Sequence, residues 1–412
     1  MKQKVIIAGV GMTRFARHLD RNLKSLAGEA ITAAIEDAGI SSLDLQAAYM
    51  ANAAAAVITG QICVPGEVVL RELKIGKIPV INIENACASA STAFNQACAM
   101  ITAGLYEVVL ACGYEKLFHE DKQKTFSAFT GAVDIENLDV LMQQIQQRMA
   151  EFRPGADTSG AGSERSMFMD IYAASALSHM KKYGTTQAQF AAVSVKNSVH
   201  GSLNPRAQYQ QVLTLDEVLS AREISYPLTL PMCSPVGDGA AAVVLVSEQK
   251  AKQLGITNPV RVLSSVLHSG WDYAPNEENA RATELCALEA FDEAGIGPDD
   301  LSCVELHDAS APAEIIIYEE LGFCARGEGG KLIDQGHTQL GGKLPVNTSG
   351  GLLRKGHPIG ATGIAQIVEL TDQLRGRADK RQVDNARFAL AENGGGYIGT
   401  DAAAVCVSIL GS

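Results

Sequence analysis

Apolar and polar positions along the chain fall into short regular patterns. Lys4 to Gly11 carries the strand-like run Val5-Ile6-Ile7-Ala8. Leu26 to Ala38 repeats apolar side chains at helical spacing and closes on Gly39. Val80-Ile81-Asn82-Ile83-Glu84-Asn85 alternates as a short buried strand does. Small residues from Ala86 to Ala93 follow, then a helix with Ala93, Ala97, Met100 and Ile101 on one face and Gly104 as its stop. Ser89 and Ser91 are candidate caps. The pattern therefore predicts Cys87 at a strand-to-helix turn. There, unsatisfied N–H groups and the positive end of the helix dipole favour thiolate over thiol. A single cysteine is nonetheless more often a buried, inert side chain than a nucleophile, so the rest of the chain has to decide.

The pattern also repeats. Ala34-Ile35-Glu36-Asp37-Ala38-Gly39-Ile40 returns as Ala290-Phe291-Asp292-Glu293-Ala294-Gly295-Ile296, and Met100 to Gly104 as Asp372 to Gly376. Val109-Leu110-Ala111 returns as Ala389-Leu390-Ala391, and Gly239 to Ser247 as Asp401 to Ser408. The echoes keep one order, which predicts two similar α/β halves, residues 1–255 and 256–412. The first half is longer by a segment from about Tyr114 to Pro227. Its early part, Asp121 to Gly162, is polar and Gln-rich, and Phe168 to Asn197 reads as two helices joined near Gly184. An insertion of this kind is expected to form a lid over the carboxyl ends of the strands, where duplicated α/β folds place their sites.

Composition narrows the possibilities. The 412 residues are 47% hydrophobic and 19% charged, with a formal charge of −12. That balance excludes nucleic acid and an anionic membrane as expected partners. No apolar run approaches the ~20 residues of a membrane helix. The start resembles no signal peptide and the end no peroxisomal address, so a cytoplasmic setting is expected. Nine cysteines without a CxxC pair fit a reducing compartment and argue against a zinc ribbon or a thioredoxin-like redox site within the chain, and no metal site is expected.

Three further stretches carry chemistry at predicted strand ends. His307, in Val304-Glu305-Leu306-His307-Asp308-Ala309, either points an imidazole N–H at a carbonyl oxygen or is a satisfied strand-end histidine. His357 stands between Gly356 and Pro358 ahead of a helix from about Ile364, where a neutral imidazole can take the thiol proton of Cys87. The competing phosphate cradle fails because the spacing matches neither a Walker A loop nor a Rossmann fingerprint. Glu392-Asn393-Gly394-Gly395-Gly396-Tyr397 reads as a Gly-rich loop after a strand: either a tight turn or a set of N–H donors for an oxyanion.

Asn85-Ala86-Cys87-Ala88-Ser89, Gly356-His357-Pro358-Ile359-Gly360-Ala361-Thr362-Gly363 and the Gly-rich final stretch together resemble the thiolase superfamily. The His307-Asp308 pair, the Gly341-Gly342-Lys343 run and the Asp238-Gly239-Ala240-Ala241-Ala242 strand resemble its sterol-carrier-protein-x type. The resemblance covers essentially the whole chain. It implies a five-layered αβαβα thiolase fold, a homodimer or dimer of dimers, and acyl-CoA substrates with coenzyme A as co-substrate and no permanently bound cofactor. It also implies Cys87 as acyl-accepting nucleophile, His357 as its activator and His307 as holder of the thioester oxygen. The N–H groups of Cys87 and the Gly394-Gly395 stretch would hold the acyl oxygen, with Ser349 near the pantetheine.

Two cysteines that such enzymes use as a second acid/base are replaced here by Ala309 and Glu392. Glu392 is then either that acid/base, its pKa raised by burial, or a backbone partner of the glycines. His200, which resembles a covering-loop histidine, is a weaker candidate. Cys233 reads as structural, near the pocket edge. The expected reaction is cleavage of a 3-oxoacyl-CoA, branched, aromatic or of aroylsuccinyl type, with Arg153, Arg165 or Lys355 meeting a free carboxylate. Retro-aldol cleavage of a β-hydroxyacyl-CoA and a non-catalytic subunit are the alternatives. A small zinc-ribbon/OB-fold acyl-CoA-binding protein is the expected partner.

Overall fold

The computed structural model describes residues 3–153, 160–161, 164–273 and 280–412. Among these, nine strands form one mixed sheet: β1 Val5–Met12, β2 Ala47–Ala51, β3 Val80–Ile83, β4 Val108–Glu115, β5 Gly239–Ser247, β6 Val260–Ser269, β7 Cys303–Glu305, β8 Phe388–Ile398 and β9 Asp401–Gly411. Their order is β3-β2-β4-β5-β1-β6-β9-β8-β7.

The duplication is visible in that order. β2 runs parallel to β4 as β7 does to β8, and β5 lies antiparallel to β4 and β1 as β9 does to β8 and β6. The two arrays join edge to edge where Val5, Ile6 and Ile7 of β1 pair antiparallel with Val262, Arg261 and Val260 of β6.

Strand alternation feeds separate cores. In β5, Ala240, Ala242, Val244 and Val246 face helix α1 (Leu23–Ala38), while Ala241, Val243 and Leu245 face a middle helical layer. β1 behaves likewise, and a bulge between Ile7 and Gly9 resets its alternation, so that Val10 joins Val5 and Ile7 on the middle side. The middle layer is α2 (Ser89–Thr102) with α8 (Thr362–Leu374), and both touch strands of both arrays. On the far face lie α6 (Ala282–Ala294) and α7 (Ala311–Glu320), packed with Val405, Val407 and Ile409 of β9. The result is the five-layered αβαβα arrangement. α1 starts at Leu23, earlier than the pattern predicts, because the Asn22 side chain accepts from Ser25 N–H at 2.9 Å and fixes the first turn.

The inserted segment contributes α3 (Leu138–Phe152), α4 (Phe168–Tyr183) and α5 (Gln187–Ser202). The break between α4 and α5 falls at Gly184, as the pattern predicts; part of the polar stretch lies outside the described residues. Ile171, Ala174 and Phe190 share one apolar core with α6 and α7. The insertion is thus packed into the second half. Among the described residues no helix is long and apolar enough to cross a membrane.

Candidate active site

β3 ends at Ile83, and Ala86–Ala88 form a single tight turn that leads into α2. Ala86 is held at φ 48°, the left-handed region that costs a residue with a Cβ. Ser89 fixes the turn: its hydroxyl accepts from Asn85 N–H at 2.9 Å and donates to the Ala86 carbonyl at 2.6 Å. Ser91 Oγ lies 2.9 Å from both the Ala88 carbonyl oxygen and Asn393 Oδ1, which share its one proton. Neither serine is the cap the pattern predicts, for Ala88 stands at that position without a side-chain cap. The two hydroxyls shape the turn and bind it to β8.

Cys87 itself is half-buried. Burial pushes its thiol up to about 12, and the Glu115 carboxylate adds to the effect. The N–H groups of Gly396 and of the cysteine itself pull the other way. The helix terminus was expected to favour thiolate, but desolvation outweighs it and the resting form is the thiol.

A base is therefore required. His357 is buried, and its Nδ1 lies 2.8 Å from Thr362 Oγ1. That hydroxyl donates to the Pro358 carbonyl at 3.1 Å, so it accepts from Nδ1–H and leaves the Nε2 lone pair free. Burial, His307 and Lys355 hold the ring well below the ordinary histidine range, hence neutral.

His307 follows β7 and meets His357 edge-on, with ring centroids 5.1 Å apart at 66°. One sulfur or ring-nitrogen atom from each of Cys87, His307 and His357 lies within 4.8 Å of the other two. His307 is pushed down to about 4 by burial, and its Nε2 has no hydrogen-bond partner among the described residues. A buried polar atom of this kind is free to hydrogen-bond a group that enters the pocket. Its backbone N–H donates to Glu392 Oε2 at 2.9 Å.

Glu392 is buried, and burial raises its carboxyl to about 7. One oxygen thus serves the backbone, and the other borders the space over Gly394: a methyl group there would lie 3.8 Å from Oε1 and 3.7 Å from His307 Nδ1. The glycines were expected in a loop, but β8 continues through Gly394 and Gly395, which pair with Val405 and Ala404 of β9. Gly395 has no alternative, since a Cβ would sit 2.3 Å from the Asn85 carbonyl oxygen and drive β8 off the Cys87 turn. Gly396, whose N–H favours the thiolate of Cys87, is a residue the sequence reading missed, although it stands in the same glycine run.

Comparison with known proteins gives the family of the chain. The thiolase N-terminal domain model matches residues 5–216, and the thiolase C-terminal domain-like model matches residues 267–408. The chain belongs to the thiolase family. An acetyl-CoA acetyltransferase of Methanothermobacter thermautotrophicus is 35% identical over 97% of this chain and 98% of its own. The benzoylsuccinyl-CoA thiolase subunit BbsB of Thauera aromatica is 36% identical over 96% of each chain. Sterol carrier protein 2 of Gallus gallus is 36% identical over 95% of this chain and 70% of its own. Among solved structures, an Ltp2-ChsH2(DUF35) aldolase superposes with TM-score 0.78 at 26% identity, covering 99% of this chain and 98% of that one. Human mitochondrial 3-ketoacyl-CoA thiolase in complex with CoA, at TM-score 0.67 and 17% identity over 100% and 98% of the chains, shares the fold. The chain is an acyltransferase of the thiolase class.

Other residues singled out in this thiolase lie in internal networks. Ser349, expected near the pantetheine, is fully buried; its hydroxyl donates to Glu305 Oε2 at 2.5 Å and its N–H to Oε1 at 2.9 Å. Lys355 pairs with the same carboxylate at 3.0 Å. Arg165 pairs with Asp170 at 2.9 Å and Arg153 with Glu223 at 2.7 Å. The three cations considered for a substrate carboxylate are thus engaged by the protein's own acids. Cys233 donates to the Thr229 carbonyl at 3.5 Å, consistent with the structural role expected of it.

His200 lies within α5, not in a covering loop. Its Nε2 accepts from Leu340 N–H at 2.9 Å and its Nδ1 meets the Asn347 carbonyl at 3.0 Å, while burial pushes it down to about 3. It is a neutral cross-link. His200→Ala strands both backbone groups and is expected to cost about 2–4 kcal/mol in urea denaturation. The folded fraction should keep kcat within about twofold, since no reacting atom is touched; a collapse of kcat at unchanged stability would instead put His200 in the chemistry.

The sequence reading missed Tyr172, and named Asp308 only as the neighbour of His307. Burial, with the neighbouring acidic groups, pushes the Tyr172 phenol up, and the influence of Cys87 and Glu392 on it marks α4 as a neighbour of the site. Asp308 accepts from Leu352 N–H at 2.7 Å and Asn197 Nδ2 at 2.8 Å, tying the His307 segment to α5.

Proposed function

We propose that the protein cleaves a branched or aromatic 3-oxoacyl-CoA by coenzyme A-dependent acyl transfer through Cys87. The observation that carries this is the gathering of the Cys87 sulfur and two neutral imidazoles within 4.8 Å. His357 Nε2 takes the thiol proton, and the thiolate attacks the 3-oxo carbon. N–H groups of Cys87 and the Gly394-Gly395 stretch hold the oxyanion. The Cα–Cβ bond then breaks, and the electron pair moves into an enolate whose oxygen is held by His307 Nε2. Glu392, raised to about 7 and therefore able to carry a proton near neutrality, protonates the Cα carbon. In the second half-reaction Glu392 takes the proton of coenzyme A, the new thiolate attacks the acyl-cysteine, and Cys87 leaves and recovers its proton from His357. The sum is one 3-oxoacyl-CoA and one coenzyme A giving two acyl-CoA molecules.

Likeness to the benzoylsuccinyl-CoA thiolase subunit supports an aromatic acyl group. The engagement of Arg153, Arg165 and Lys355 leaves a second carboxylate on the substrate without the anchors first considered for it. That relative is described as a subunit, and the aldolase neighbour is a complex with a DUF35 protein. Both support a small acyl-CoA-binding partner beside a homodimer or dimer of dimers.

The aldolase neighbour also favours a second reading, retro-aldol cleavage of a β-hydroxyacyl-CoA. Product analysis with and without free coenzyme A separates the two. Acyl transfer requires coenzyme A and gives two thioesters per turnover, whereas a lyase needs none and releases an aldehyde or ketone.

A further inference from the structure

Glu115 ends β4 and is fully buried, with no role in the reaction above. Its Oε2 accepts from Ala53 N–H and Ala54 N–H, each at 3.2 Å, and from Gly360 N–H at 3.0 Å. Its Oε1 accepts from Asn52 Nδ2 and Lys116 N–H, each at 3.3 Å. The ammonium group of Lys116 is spent elsewhere, on Asp238 at 2.8 Å. One carboxylate thus collects the segment after β2, the exit of β4 and the turn that carries His357.

Those same segments supply Ala54, Leu117 and Ile359, the small apolar cluster against which Ala53 and Cys87 pack. β4 and the His357 turn meet so closely that a Cβ on Gly113 would lie 2.4 Å from the Gly360 carbonyl oxygen. Gly360 is equally constrained, for a Cβ there would lie 2.8 Å from Glu115 Oε2.

We infer that Glu115 is a positioning residue for acyl transfer: its carboxylate staples the His357 turn from the second half to the wall around the Cys87 sulfur from the first. Its oxygens are occupied by N–H donors from three segments, so it acts by holding those segments together. Its second effect is electrostatic. Burial raises the Glu115 carboxyl to about 7, so above neutrality it is ionised and its charge opposes thiolate formation at Cys87. The sulfur is also faced by Glu84 from its own turn, by His307 and His357 from the second half, and by Tyr172 from α4. A substitution at Glu115 leaves these in place.

The test uses the full-length protein and two measurements, steady-state acyl transfer and the pH profile of Cys87 alkylation by iodoacetamide. Glu115→Ala is expected to lower kcat about 10²-fold with KM within about threefold, because the reacting groups are misplaced while the coenzyme A site is not. Glu115→Gln restores one acceptor oxygen and should recover at least about tenfold of that loss. It also removes the charge that Glu115 carries above neutrality, so the alkylation midpoint moves to lower pH and the rate at a fixed pH of about 8 or above rises about three- to tenfold. A carboxylate with a merely structural role would not speed alkylation while slowing turnover. If Glu115→Ala does not fold, Gly360→Ala presses on the same contact from the other side and should reproduce the kcat loss.

A wild-type alkylation profile in Glu115→Gln, or wild-type kcat in Glu115→Ala or Gly360→Ala, overturns the inference. The kcat arm rests on the acyl-transfer reading; the alkylation arm does not. A wild type inactive toward thioesters whose Gln variant still shows the alkylation shift would sink that reading and leave the electrostatic role of Glu115 standing.

Discussion

Cys87→Ala is expected to lower kcat for coenzyme A-dependent cleavage by about 10⁵–10⁶-fold, the size of effect seen when a covalent nucleophile is removed from a unit that acts together. The loss is large because the two groups gathered with the thiol among the described residues are imidazoles held neutral by burial. The fold should be little affected, since Cys87 is half-buried beside Ala88 and alanine fits the same turn. Far-ultraviolet circular dichroism and thermal unfolding check that half of the expectation, and a continuous thioester assay checks the other. A variant that folds and keeps more than about one per cent of wild-type kcat would be incompatible with covalent catalysis at this sulfur.

The second large effect is at Glu392, where function and stability should move in opposite directions. Glu392→Gln keeps the shape but cannot give or take the proton at Cα, and kcat should fall about 10²–10⁴-fold. Burial raises this carboxyl from 4.5 to about 7. As pH rises from 4.5 toward 7 the unfolded chain releases this proton while the native state keeps it, so stability is lost across that window and stays lost above it. At pH 8 the ionised group costs about 3 kcal/mol, which glutamine removes. The variant should therefore be slower yet more resistant to urea at pH 8, with the difference vanishing near pH 4. Lower stability at pH 8, or undiminished kcat, would show that Glu392 is only a ligand of the His307 backbone.

The local parts of the site were legible in the sequence. The β3–turn–α2 unit, His307 after a strand and His357 before a helix follow from patterns a few residues long. What failed depends on distant partners. Ser89 and Ser91 look like caps, but Asn85 and Asn393 claim them. The glycines after Glu392 look like a loop because glycine disfavours strands, but pairing with β9 and the closeness of Asn85 override that preference. The helix terminus suggests a thiolate, yet desolvation of the sulfur comes from neighbours that the sequence does not bring together. Ser349, Lys355 and His200 look available, and their internal partners lie at Glu305, Asn347 and Leu340. Glu115 offered no signal at all, because its contacts span 62 and 245 residues of chain.

The central claim is an acyl group carried on one sulfur, and intact-protein mass spectrometry reads it most directly. The protein, alone and with a candidate small partner, is incubated with a panel of acyl-CoA and 3-oxoacyl-CoA thioesters without free coenzyme A, and the adduct is mapped by digestion. The account predicts a single acyl adduct on Cys87 that is discharged by added coenzyme A and absent from Cys87→Ala. Its mass names the acyl group. Turnover with no adduct that persists in Cys87→Ala would contradict the account and leave retro-aldol cleavage as the reaction.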